Sequence, residues 1–197
     1  REIKEIIKKN NLKKKLFKSR YLFINKQKKK ISSKNFEWDL IVAPSWNSSF
    51  YKTKCHILLN KLLKEKNLSF KLRPHPMSYI KGEITKKELV NLSINIDDDP
   101  IIDFKKYNFL ISDWSGIFIE YSLIFKKKAF LINTPKKMVN KNYDEFKNKP
   151  IEITLRNTLA KSYDISTISE MIEEINGLKK LSNVSSDSRF HEILKKG

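Results

Sequence analysis

The chain has 197 residues, 40% of them hydrophobic and 11% aromatic, enough for a real core in one large domain or one domain with an extension. Its net charge of +19 and pI of about 9.8 point to an acidic partner, but Asn and Ile are abundant beside Lys, so part of that charge is compositional bias and is not read as nucleic-acid binding. The single Cys55 excludes an internal disulfide and a Cys-based zinc site, and no run approaches the ~20 apolar residues of a membrane span.

Residues 1–37 read as a basic helical extension or linker. Thirteen Lys/Arg fall in the first thirty positions against Glu2 and Glu5, and Ile3, Ile6, Ile7, Leu12, Leu16 and Phe17 predict one amphipathic helix. Such a segment serves as a solvated connector, or presents residues 1–30 to an anionic membrane surface or an acidic polymer.

The regular pattern starts at Trp38, and 38–197 reads as one domain with a helical tail. Residues 39–43 form a buried strand, stopped by Pro44-Ser45-Trp46-Asn47; Ser48 or Ser49 caps a helix running to about Lys66. A second strand, 68–72, ends in Arg73-Pro74-His75-Pro76, where the prolines forbid a central strand or a helix interior. Thr85 and Glu88 have capping-box spacing for a helix near 86–92. A third strand is expected at 94–97 and a short helix at 101–106 after Asp98-Asp99-Pro100. Strand 108–112, helix 115–126 and strand 129–133 follow. Beyond Pro135 the pattern loosens: a polar loop to Pro150 anchored by Tyr143 and Phe146, a short strand at 151–154, and helices near 155–160, 166–179 (stopping at Gly177) and 187–196.

Strands alternating with helices over 38–134 predict an α/β fold, a Rossmann-like parallel sheet flanked by helices on both faces. Ligands of such sheets bind outside the carboxyl ends of the strands, where all the polar turns would gather. The turn Ser112-Asp113-Trp114-Ser115-Gly116 sits between a buried strand and a helix start, whose free N–H groups and dipole favour an anion. Ser115 and Gly116 are better placed to touch phosphate than Asp113, whose carboxylate repels it unless it caps the helix or orients a neighbour. Glu120, one turn further on, suits the two hydroxyls of a ribose, or is an exposed helical Glu. His75 is held between two prolines at a strand end and can act as a general acid or base, or donate to a phosphate. Arg73 beside it either grips a phosphate or pairs with a carboxylate of the 97–99 cluster. His56 and His191 read as structural. Asp97-Asp98-Asp99 reads as a polar helix start rather than a Mg²⁺ site, and no metal site is assigned. Neither a P-loop nor a dinucleotide glycine fingerprint is present.

Arg73-Pro74-His75-Pro76, the run Ile111 to Tyr121, Lys128 to Ile132, and the Pro44-Ser45-Trp46 turn together resemble the CDP-glycerol:poly(glycerophosphate) glycerophosphotransferase family of teichoic-acid and capsule polymerases, in matching order over roughly 38–135. The resemblance implies a two-Rossmann-domain (GT-B) transferase, of which this chain is mainly the C-terminal, donor-binding half; the acceptor half is expected before it. It implies His75 as the residue essential for transfer, and Ser112, Asp113, Ser115 and, more weakly, Gly116 as the holders of the donor diphosphate. Glu120 stands where the family positions an acidic residue for the ribose, and Pro44, Ser45 and Trp46 are candidate contacts to the donor and its base. Trp114 stands where the family usually has Tyr, Gly116 where it has a second Ser, Glu120 where Asp is commoner, and the turn after Trp46 lacks the usual Arg.

The expected function is therefore transfer from a CDP-polyol or related nucleotide donor to a growing cell-surface polymer, with no added cofactor. The expected partners are that donor and a lipid-linked or polymeric acceptor, not nucleic acid. The expected location is cytoplasmic, with residues 1–30 against the inner face of the membrane. A GT-B glycosyltransferase using a nucleotide-sugar, and a non-catalytic nucleotide- or polyanion-binding module, are the alternatives.

Overall fold

The computed structural model describes residues 36–46, 49–135 and 150–184. The expectations for 1–35, for Ser48 as a cap, for Tyr143 and Phe146, and for a helix at 187–196 lie outside the described residues. The elements are β1 (Trp38–Val42), α1 (Cys55–Glu65), β2 (Phe70–Leu72), α2 (Pro76–Ile80), α3 (Lys86–Asn91), a 3₁₀ turn at Phe104–Lys106, β3 (Tyr107–Ser112), α4 (Ile117–Phe125), β4 (Ala129–Asn133), α5 (Ile151–Leu159), β5 (Ala160–Asp164), and α6 (Ile168–Val184) entered through a 3₁₀ turn at Ile165–Thr167.

Five strands form one sheet in the order β2-β1-β3-β4-β5, with every neighbouring pair parallel. Ile96 adds a parallel bridge to Leu72 beside β2. Counted as a rudimentary strand, it makes the order across the sheet 3-2-1-4-5-6, that of a doubly wound sheet whose switch point lies between the first and fourth strands. Here those are β1 and β3.

Alternation along each strand builds two cores. Leu40, Val42, Phe109, Ile111, Phe130 and Ile132 face α1, α3 and α6, where Leu59, Leu63, Leu89, Met171 and Ile175 meet them. Ile41, Leu110, Ala129 and Leu131 face α4 and α5, packed by Phe118, Tyr121, Ile124 and the half-buried Leu155. Each large aliphatic or aromatic side chain so buried stabilises the fold by about 1.5–3 kcal/mol before entropy is counted.

Several boundaries differ from the sequence expectation. The first helix is not capped by Ser49. Phe50 and Tyr51 turn into the core, Ser49 offers its carbonyl to the Thr53 N–H and hydroxyl at 2.8 and 2.7 Å, and α1 starts only at Cys55 after Lys54 adopts φ 57°. Pro76 opens α2, a helix the sequence reading did not assign, at the first position, where its missing N–H costs nothing. The expected third strand shrinks to the Ile96 bridge, because Asp97 turns its carboxylate to Arg73. The expected helix at 101–106 shrinks to one 3₁₀ turn capped by Asp103 rather than by the Asp98-Asp99-Pro100 start. Ile151–Thr154 is not a strand but the first turn of α5, whose Ile153 and Thr154 N–H groups bond the Pro150 carbonyl at 3.1 Å. α6 passes through Gly177, where nothing within 4 Å demands a glycine.

Candidate functional site

Because every strand is parallel, the polar segments after β1, β2, Ile96, β3 and β4 all emerge at one edge of the sheet. Hydrogen bonds tie them in pairs. Across the switch point, Asp113 accepts the Ser45 N–H at 2.7 Å through Oδ1 and the Ser45 hydroxyl at 3.2 Å through Oδ2. Beneath this pair the Ser112 hydroxyl donates to the Ala43 carbonyl at 2.6 Å.

Ser112 and Asp113 are both 0% exposed. The resemblance puts both on the donor diphosphate; in the structure the Ser112 hydroxyl and the Asp113 carboxylate bond the loop after β1. Asp113 is not the cap of α4 either, since Gly116 holds that position without a side-chain cap. Pro44 and Ser45 are likewise buried, while Trp46 is half-buried. The Tyr51 phenol is pushed up by burial first and then by Tyr79, Asp113 and Glu83, so it stays protonated beside this pair.

The surface of the turn is made by Trp114, Ser115 and Gly116, all half-buried. The N–H groups of Ser115 and Gly116 have no acceptor among the described residues, and the Ile117 N–H makes only a long 3.4 Å contact with Ser115 Oγ. These are the donors a helix start offers an anion. Gly116 has φ −65° and ψ −8°, an ordinary right-handed conformation, so its value is the open approach it gives and not conformational freedom. A Cβ there would meet Glu152 Oε1 at 3.5 Å. A carboxylate from the first turn of α5 thus stands beside the donors. Glu120 lies in the first turn of α4, half-buried.

His75 is the N-cap of α2, extended at φ −64° and ψ 138° as its place before Pro76 requires. Its Nδ1 accepts the Met77 N–H at 3.1 Å. An accepting Nδ1 places the proton of the neutral ring on Nε2. The Trp46 ring lies 6.3 Å from the imidazole, tilted by 38°. Arg73 pairs with the buried Asp97 through Nη1 at 2.9 Å. Asp98 and Asp99 diverge to Lys86 and Lys106 at 2.6 and 3.3 Å, so the acidic run serves three separate cations. Among the described residues no three His, Cys, Asp or Glu side chains converge as metal ligands. His56 is buried in α1 against Tyr51, 5.3 Å between rings, and burial lowers its basicity.

The residue that sequence reasoning missed is Arg156. It is 6% exposed and reaches under the turn from α5. Nη1 donates to the Asp113 carbonyl at 2.6 Å, and Nη2 donates to Asn133 Oδ1 at 2.9 Å and to the Ile132 carbonyl at 3.4 Å. Its guanidinium carbon sits 4.2 Å from the centre of the Trp114 ring, whose indole N–H bonds the Thr134 carbonyl at 2.8 Å. Burial lowers its hold on its proton, and the nearby Asp113 carboxylate partly restores it. The only sequence signal was an Arg flanked by Leu155 and Leu159 at helical spacing, which fits any amphipathic helix.

No helix among the described residues is long and apolar enough to cross a membrane. Comparison with family models, curated proteins and solved structures finds no match to this chain.

Proposed function

We propose that this chain is the donor-binding half of a GT-B-type transferase that takes a CDP-polyol or related nucleotide donor and passes a polyol-phosphate unit to a cell-surface polymer. The observation that carries the reading is the rim itself. N–H groups of Ser115 and Gly116 with no acceptor among the described residues stand at a helix start beside the switch point, and His75 and Trp46 lie together at the same edge. The motif resemblance supplies the donor class.

In this reading the diphosphate rests on Ser115 and Gly116, the ribose reaches Glu120, and Trp46 offers a ring to the donor. The acceptor hydroxyl attacks the outer phosphorus and releases its proton to water while the bond to the nucleoside monophosphate breaks. His75 donates its Nε2 proton to the departing phosphate oxygen, and the helix-start amides stabilise the charge that develops. The acceptor, lipid-linked or polymeric, belongs to the half that precedes this chain, and the basic residues 1–30 face the anionic inner leaflet.

A thermal-shift panel of CDP-glycerol, CDP-ribitol, CMP and UDP-sugars tests the donor class; a ligand at a hundredfold excess over Kd stabilises by about 2.7 kcal/mol. Stabilisation by the CDP compounds supports the reading, by UDP-sugars alone turns it to a glycosyltransferase, and by none rejects it. In the protein with its acceptor half, His75→Ala abolishes turnover and keeps donor binding.

A further inference from the structure

Arg156 is a buried cation whose hydrogen bonds among the described residues go to two carbonyls and one amide oxygen, never to a carboxylate. Asp113, the nearest acid in electrostatic terms, has both carboxylate oxygens engaged by Ser45. A cation taken out of water without a bonded anion is expensive, and a well-packed apolar side chain would stabilise α5 better. Its position therefore calls for a role other than packing.

The geometry supplies one. The chain has no cis peptide among the described residues, so the Asp113 carbonyl and the Trp114 N–H point in opposite directions across one plane. With the carbonyl held by Arg156, the N–H end of that peptide dipole points away from the guanidinium. The same guanidinium stacks on the Trp114 ring, which Thr134 also holds. Asn133, the third partner, is itself braced by Asp164 at 2.8 Å, so the ends of β4 and β5 and the turn after β3 are joined through one side chain.

We infer that Arg156 is a positioning residue for diphosphate: it fixes the 113–114 peptide and the Trp114 ring at the entry to the turn and sets a positive charge against that turn. It does not touch the donor. The inference rests on the donor-site reading above and names the part of the donor, its phosphates, that Arg156 serves.

The test is calorimetric titration of the wild-type chain, Arg156→Gln and Arg156→Lys with inorganic pyrophosphate, CDP and cytidine, beside their thermal unfolding. Arg156→Gln should bind pyrophosphate and CDP about tenfold more weakly and cytidine unchanged, and Arg156→Lys should fall between, since the charge returns without the fork. A merely structural role would weaken all three ligands together. A folded Gln variant with wild-type affinity for pyrophosphate overturns the inference and leaves the donor site standing. If Arg156→Gln fails to fold, Arg156→Lys decides: selective loss for the phosphate ligands supports it, and wild-type affinity overturns it. A wild-type chain that binds neither pyrophosphate nor CDP overturns the donor reading and this inference with it.

Discussion

Asp113 and Ser45 close the switch point of the sheet: one carboxylate takes both the backbone N–H and the hydroxyl of a residue 68 positions away, and both residues are at most 5% exposed. The bond fixes the loop after β1 against the turn after β3, the two segments between which a doubly wound sheet binds its ligand. Asp113→Ala removes the carboxylate that accepts from both Ser45 donors and should cost about 2–4 kcal/mol in denaturant unfolding. Ser45→Ala, which removes the longer bond and keeps the backbone one, should cost about 1 kcal/mol.

Glu152 places a carboxylate beside the Gly116 end of the turn. It interacts favourably with the start of α4, and a phosphate bound there must share or displace it. Glu152→Gln should therefore tighten pyrophosphate binding about two- to fivefold, the equivalent of ~0.3–1 kcal/mol for one charge at a helix end. Titration at low salt checks this; weaker binding by the variant would show that Glu152 assists the ligand.

Gly116 has helical angles and room for a Cβ at ordinary contact distance. Gly116→Ser should unfold no more easily than the wild type, and it adds a hydroxyl beside the Ser115 and Gly116 amides. CDP affinity should be equal or higher, measured by titration. A large loss would mean that the donor approaches the backbone more closely than a Cβ allows.

His56 gives the fold an acid-side weakness. Burial lowers its pKa from the ordinary 6.5, so in the unfolded chain it takes up a proton at a pH where the folded chain does not. Unfolding then binds the extra proton, and stability falls as the pH drops through about 6.5 and stops falling below the folded value. Melting temperatures measured from pH 7.5 down to pH 5 should decline more for the wild type than for His56→Leu, whose side chain does not titrate.

The parts of the fold that were legible in the sequence are those whose burial is complete. β1, β3 and β4 are covered on both faces, so each appears as an unbroken apolar run: Leu40 to Val42, Phe109 to Ile111, Phe130 to Ile132. The Thr85–Glu88 capping box was legible because its bonds are local. β5 was not, because as an edge strand it buries only Ala160 and Tyr163 and carries Lys161 and Asp164 outward. Ile151 to Thr154 alternate like a strand, yet Pro150 ahead of them caps a helix. At the site, the turn and His75 were visible as punctuation at strand ends. What each turn touches was not, since the bonds from Asp113 to Ser45 and from Arg156 to Asp113 span 68 and 43 residues. Spacing carries no information about such pairs, so the partners of Ser112, Asp113 and Arg156 were not legible in the sequence.

The central claim is that the helix start after β3 receives the donor phosphates. The most direct measurement is the amide spectrum of the ¹⁵N-labelled chain titrated with CDP-glycerol. The account predicts that the Ser115, Gly116 and Ile117 amides move first and furthest, with the Trp46 indole and the His75 ring responding at the same ligand concentration. Saturable shifts confined to other parts of the chain, or none at millimolar CDP-glycerol, would contradict it.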